Sequence, residues 1–197
     1  LDIRLETVPN QTPYLFPDPE RVARWSSRLG PDDGMLRVGL IWAGGKVYGD
    51  DSIRSPGLKP FLPLLGVPGT TFYGLQVGPG RQDLEALETP LGTNFIDLGK
   101  EVSDFADTAA IMTRMDLVIS SCTATVHLAG GLRRPTWVVI PKAADWRWML
   151  NREDSPWYPE LRLFRQDAMG REWGPVIGRV KAALTALTLE RKHGVSG

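Results

Sequence analysis

The stretch from Asp116 to Leu132 limits the fold more than any other part of the chain. Leu117 to Ser120 has the composition and length of a buried parallel strand. The small polar residues Ser121, Cys122 and Thr123 follow, and a helical spacing carrying His127 begins at once. A strand that turns directly into a helix leaves the first N–H groups of that helix unpaired and pointing outward. That is a ready site for phosphate.

The remainder of the chain alternates in the same manner. Asp18, Pro19 and Glu20 read as an N-cap, a first-turn proline and a first-turn acid; Val22, Trp25 and Leu29 follow at helical spacing, and Gly30 ends the helix. Strands are expected over Leu36 to Ala43, near Thr71 to Val77, near Asn94 to Leu98, over Leu117 to Ser120, over Thr136 to Ile140 and near Leu161 to Phe164. Helices are expected near Arg81 to Leu87, from Asp104 to Arg114, from Thr123, and from Pro175 to about Arg191. Six strands with intervening helices make, most economically, a Rossmann-like doubly wound parallel α/β sheet in the order 3-2-1-4-5-6. Residues 1–34 then form a lead-in segment and linking helix, 35–191 the sheet domain, and 192–197 a frayed tail.

Bulk properties restrict the partners. Lys plus Arg equals Asp plus Glu at 23 each, so no global field recruits nucleic acid or an acidic membrane, and an anion site has to be local. The single cysteine, Cys122, excludes an internal disulfide, argues against a cysteine-based metal site and fits a reducing, cytoplasmic setting. No run reaches membrane-spanning length. The start Leu-Asp-Ile-Arg is neither a signal peptide nor an initiator methionine and reads as a start inside a longer protein.

In the expected strand order the first and fourth strands are neighbours, so a crevice opens between the loop Gly44 to Ser55 and the Ser121 to Thr123 turn. In that loop the glycines allow close backbone approach, and Lys46 or Arg54 can neutralise a diphosphate. The same composition also describes an ordinary surface loop. His127 lies one helical turn after Thr123, either as a donor to phosphate or as a packed helix histidine. Cys122 is a thiol at a helix N-terminus or a small buried residue; with no histidine adjacent in sequence, the second role fits better. The segment Pro141 to Gln166 is aromatic, and Trp146, Trp148, Trp157 and Tyr158 can stack on a sugar or form a satellite core. Asp145, Arg147, Arg152, Glu153 and Asp154 accompany them as polar contacts for a sugar or a second domain. The G-x-G-x-x-G of nicotinamide-dependent oxidoreductases is missing from the first loop.

Several segments together carry a family resemblance: Val38 to Gly44, Arg54-Ser55, Asp104 to Ala110, Thr123-Ala124 with His127 to Gly130, Asp145 to Trp148, and Asp154 to Tyr158. Over roughly residues 9–185 the chain resembles the C-terminal glycosyltransferase-type domain of bacterial tetratricopeptide-repeat proteins. These are similar to family 9 glycosyltransferases, the heptosyltransferase group, and distantly to O-linked GlcNAc transferases.

The resemblance implies the C-terminal half of a GT-B fold, binding a nucleotide-diphosphate sugar as substrate with no further cofactor and no metal. The acceptor, the catalytic base and tetratricopeptide repeats are then expected outside these residues. By motif, Thr123 and Ala124 would offer backbone N–H groups to the diphosphate with His127 beside it, and Gly44, Arg54 and Ser55 would line the phosphate side. Gln76, Ser103 and Asp104 would lie near base and ribose. Two stretches depart from the pattern. Cys122 stands where an aspartate is usual, and Tyr48 with Asp50-Asp51-Ser52 replaces a histidine and an asparagine-aspartate-arginine run. These departures favour an alternative to a donor-binding half: a degenerate nucleotide- or protein-binding module at the end of a repeat scaffold.

Overall fold

The computed structural model describes residues 4–45 and 51–194, so Lys46, Tyr48 and Asp50 of the first loop lie outside the described residues. Helix α1 (Pro19–Leu29) begins where the Asp18 carboxylate accepts from the Glu20 N–H at 2.9 Å, and it stops at Gly30, whose φ of 73° suits glycine. The strands are β1 (Leu36–Ile41), β2 (Thr70–Gly74), β3 (Phe95–Asp97), β4 (Leu117–Ser121), β5 (Thr136–Ile140) and β6 (Leu161–Arg165). They pair in parallel in the order β3-β2-β1-β4-β5-β6, the expected doubly wound arrangement. The helices are α2 (Asp51–Arg54), α3 (Gln82–Glu85), α4 (Phe105–Met112), α5 (Ala124–Gly131) and α6 (Gly174–Gly194).

Alternation along the central strands splits the core between the two faces of the sheet. Leu36, Val38, Leu40, Leu117 and Ile119 face Phe61, Leu64, Ile177, Val180 and Leu184, which brings α6 onto one side. Ile41, Tyr73 and Val118 face Trp25, Ile111 and Met112, which brings α1 and α4 onto the other. Each fully buried aliphatic side chain contributes about 1.5–3 kcal/mol, so the pattern that defines the strands also supplies the stability.

The structure differs from the expected elements at three places and adds one segment. Strand β1 ends at Ile41 and not at Ala43, because the N–H groups of Trp42 and Ala43 donate to the Gln76 side chain at 3.0 and 2.9 Å instead of to a neighbouring strand. Between β1 and β2 the chain forms a 3-10 segment, Lys59–Gly66, which buries Phe61 and Leu64; Pro60 and Pro63 disguise its apolar period in the sequence. The helix expected near Arg81 to Leu87 is a 3-10 turn, Gly78–Arg81, followed by the single turn of α3. At the other end α6 continues through 192–194, past its expected end near Arg191.

Candidate functional site

Because the strands are parallel, the segments following them emerge on one rim. There Gly44, Gly45, Arg54, Cys122, Thr123, Ala124, His127, Asp145, Arg147 and Trp148 line a cleft of about 280 Å³. It lies where β1 and β4 are neighbours and the sheet changes direction, as expected from the strand order.

The floor of the cleft is the start of α5. Thr123 is its N-cap in an extended conformation, but its side chain makes no cap bond; its hydroxyl pairs with that of Thr125 at 2.5 Å. The first turn of the helix is therefore uncapped by its own side chain, an arrangement that suits an anion. Arg54 closes α2 on the facing wall. The Ser55 hydroxyl accepts from the Gly44 N–H at 2.8 Å and ties the two ends of the first loop together. Gly44 lines the cleft with that N–H already engaged.

His127 is fixed from two sides. Its ring stacks on Trp148 with centroids 5.5 Å apart and planes 13° apart, and its Nδ1 lies 3.1 Å from the Tyr158 hydroxyl. Burial and the nearby Arg147 charge hold its pKa below the ordinary histidine value, so the ring is neutral near pH 7. Burial pushes the Cys122 thiol up, against the opposing hydrogen bond from Trp148 Nε1 at 3.0 Å and the charge of Arg54. Cys122 is a half-buried thiol whose surroundings favour the protonated form.

The aromatic segment supplies the third wall. Asp145 caps the 3-10 turn Trp146–Trp148, accepting from the Arg147 N–H at 3.0 Å and pairing with its guanidinium at 2.7 Å. Burial opposes ionisation of Asp145, but the Arg147 bonds and charge, helped by Arg54, hold its pKa below the usual carboxylate range. Arg165 pins the turn from below by donating to the Trp148 and Met149 carbonyls at 2.9 and 2.6 Å. The satellite core expected of the tryptophans rests on Trp148, which is 1% exposed and packs with Val126, Val138 and Ile140. Arg147 was legible as a residue of this segment; its place in the same cleft as Thr123 comes only from how the segment folds back over α5.

The other expected residues stand elsewhere. Gln76 is 3% exposed and its amide is consumed internally, accepting from Trp42 and Ala43 and donating to the Ala43 and Val77 carbonyls. Ser103 and Asp104 do not line the cleft. Asp104 caps α4 by accepting from the Asp107 N–H at 2.9 Å and pairs with Arg21 at 2.6 Å, while the Ser103 N–H donates to Asp107 at 3.1 Å. These three residues hold the framework around the cleft.

No protein-family profile matches the chain. It is 34% identical over 184 residues to Protein FlbA of Caulobacter vibrioides, a match that covers 91% of this chain and 30% of that protein. Among solved structures it is similar to the E. coli ADP-heptose lps heptosyltransferase II, with a TM-score of 0.63 and 14% identity over 95% of this chain and 57% of that one. A family 9 glycosyl transferase from Veillonella parvula gives a TM-score of 0.59 at 16% identity, over 89% and 53%. The E. coli heptosyltransferase WaaC with ADP gives 0.54 at 14%, over 86% and 48%. The chain thus spans about half the length of these structures and less than a third of FlbA. At these identities the likeness is one of architecture: the chain has the Rossmann-like α/β fold found in GT-B glycosyltransferases of family 9.

Proposed function

We propose that this chain binds the nucleotide-diphosphate sugar donor of a metal-independent, inverting glycosyltransferase, as the C-terminal half of a GT-B enzyme. The observation that carries this reading is the convergence of an uncapped α5 start, Arg54, Arg147 and neutral His127 on one cleft. Departure of a nucleoside diphosphate from a sugar builds negative charge on the leaving oxygen. Fixed N–H dipoles and two guanidinium groups stabilise that charge without rearranging. The ring of His127, held by Trp148 and Tyr158, adds a further polar contact to the diphosphate. The acceptor and its base belong to the remainder of the full-length protein, together with the tetratricopeptide repeats and cytoplasmic setting expected from the resemblance.

Arg54→Ala tests the reading. Loss of a charge-assisted contact to phosphate removes about 1.5–3 kcal/mol, which is roughly a tenfold to hundredfold loss of nucleoside-diphosphate affinity by calorimetry. Unchanged affinity would count against the assignment.

One observation favours a second reading, a degenerate module that binds nucleotide or protein without turnover. Where the resemblance calls for an aspartate, Cys122 is a protonated thiol facing the Trp148 indole N–H, and it cannot accept sugar hydroxyls as a carboxylate does. A Cys122→Asp variant of the complete protein separates the two readings. Newly gained transfer would show that the wild-type domain had lost turnover through this one residue; transfer by the wild type would remove the second reading altogether.

A further inference from the structure

Beside the cleft lies a second, smaller pocket of about 180 Å³, lined by His127, Trp146, Arg147, Trp148, Trp157 and Tyr158. It shares His127, Arg147 and Trp148 with the cleft, so the two adjoin. Its volume falls below the roughly 300–1,000 Å³ that drug-sized ligands fill, and it has room for a single ring system.

We infer that this pocket holds the pyranose ring of the sugar substrate by stacking on Trp146 and Trp157, an inference that rests on the donor-binding reading of the adjacent cleft. Trp146 is 70% exposed, although it belongs to a segment that buries Trp148 completely. An indole left open to water beside a polar cleft is a surface waiting for an amphipathic partner. Arg147 lies over the Trp146 ring, 5.2 Å from its centroid, and fixes the indole in position.

The geometry distinguishes a sugar from a flat base. Trp146 and Trp157 meet at 82° with centroids 5.9 Å apart, so they form a corner and not a slot with parallel walls. A nucleobase stacks best between parallel faces. A pyranose has one face of polarised C–H groups, which packs on the negative face of an indole, and a rim of hydroxyls, which meets polar edges. Arg147, which lines the pocket, donates to such a rim. The recognition lost with a carboxylate at position 122 is thereby replaced, at least for the ring, by aromatic contact.

Saturation-transfer NMR with the methyl α-pyranosides of glucose, galactose and N-acetylglucosamine tests this on the 197-residue chain and on the complete protein. At least one glycoside is expected to receive saturation at the C–H protons of one ring face. The signal should fall at least fivefold in Trp146→Ala, an exposed position, and in Trp157→Phe, and persist in Leu150→Ala. No saturation from any of the three, or signals unchanged in both tryptophan variants, would overturn the assignment. So would saturation confined to the base protons of uridine or adenosine offered as controls. A parallel titration with UDP, GDP and ADP keeps the two readings apart. Glycoside binding without nucleotide binding counts against the donor reading alone, and nucleotide binding without glycoside binding counts against the pyranose pocket alone.

Discussion

The Nδ1 of His127 and the hydroxyl of Tyr158 lie 3.1 Å apart, and the same hydroxyl lies 3.3 Å from that of Tyr14 in the lead-in segment. Tyr158 thus links the cleft histidine to the chain that precedes the sheet. Burial and the Tyr14 contact push its pKa far above the ordinary tyrosine value, so it remains a hydroxyl throughout the working pH range. Tyr158→Phe removes both contacts and keeps the ring. We expect a stability loss of about 1–2 kcal/mol in urea unfolding, together with weaker nucleotide binding as His127 gains freedom.

The depressed pKa of His127 has a definite pH signature. The unfolded chain takes up a proton near the ordinary value of about 6.5, before the folded state does. The associated stability is present above that value and is lost as pH falls through the lower folded value. Melting temperature should drop between pH 7.5 and 5.5, and His127→Asn should show a smaller drop. Nucleotide affinity should move the other way, because a protonated His127 attracts the diphosphate more strongly.

Gly130 of α5 packs directly against Tyr158. A Cβ there would sit 2.4 Å from Tyr158 Cδ1 and 2.6 Å from Cγ, well inside contact distance. Gly130→Ala is expected to cost about 1–3 kcal/mol of stability by overpacking and to weaken nucleotide binding by displacing Tyr158 from His127. Thermal unfolding and calorimetry on the same sample check both.

Asp107 joins α1 to α4. It is 1% exposed and accepts from Arg21 at 2.9 Å, from Arg24, from Trp25 Nε1 at 3.1 Å and from the Ser103 N–H. Burial opposes its ionisation, but the bonds from Trp25, Ser103 and Arg21 and the charge of Arg24 prevail and lower its pKa. Its stabilising effect is therefore full above the usual carboxylate range and is lost as pH falls through the lowered value. Asp107→Asn should cost about 2 kcal/mol in urea unfolding, less than a wholly buried pair because Arg24 is exposed.

The sequence made the sheet legible because its signals were strong and local. Leu117 to Ser121, followed by a direct turn into α5, and the strict order of strands and helices needed no long-range information. Asp18, Pro19 and Gly30 marked both ends of α1 by capping chemistry alone. The 3-10 segment Lys59–Gly66 was hidden, because Pro60 and Pro63 break the period on which helix reading depends. In the cleft, Thr123, Ala124 and His127 followed from one helix, whereas Arg147 required the fold of a segment over twenty residues away. Gln76 shows the limit most clearly. A polar residue after β2 looked like a ligand contact, and its amide instead terminates β1.

The proposed donor site is centred on the start of α5. The direct test is calorimetric titration of the chain and of the complete protein with UDP, GDP, ADP and CMP, alongside His127→Ala. Selective binding of one nucleotide, weakened at least fivefold in His127→Ala, is the predicted result. Failure of all four to bind the complete protein, or binding indifferent to His127→Ala and Arg54→Ala, would contradict it.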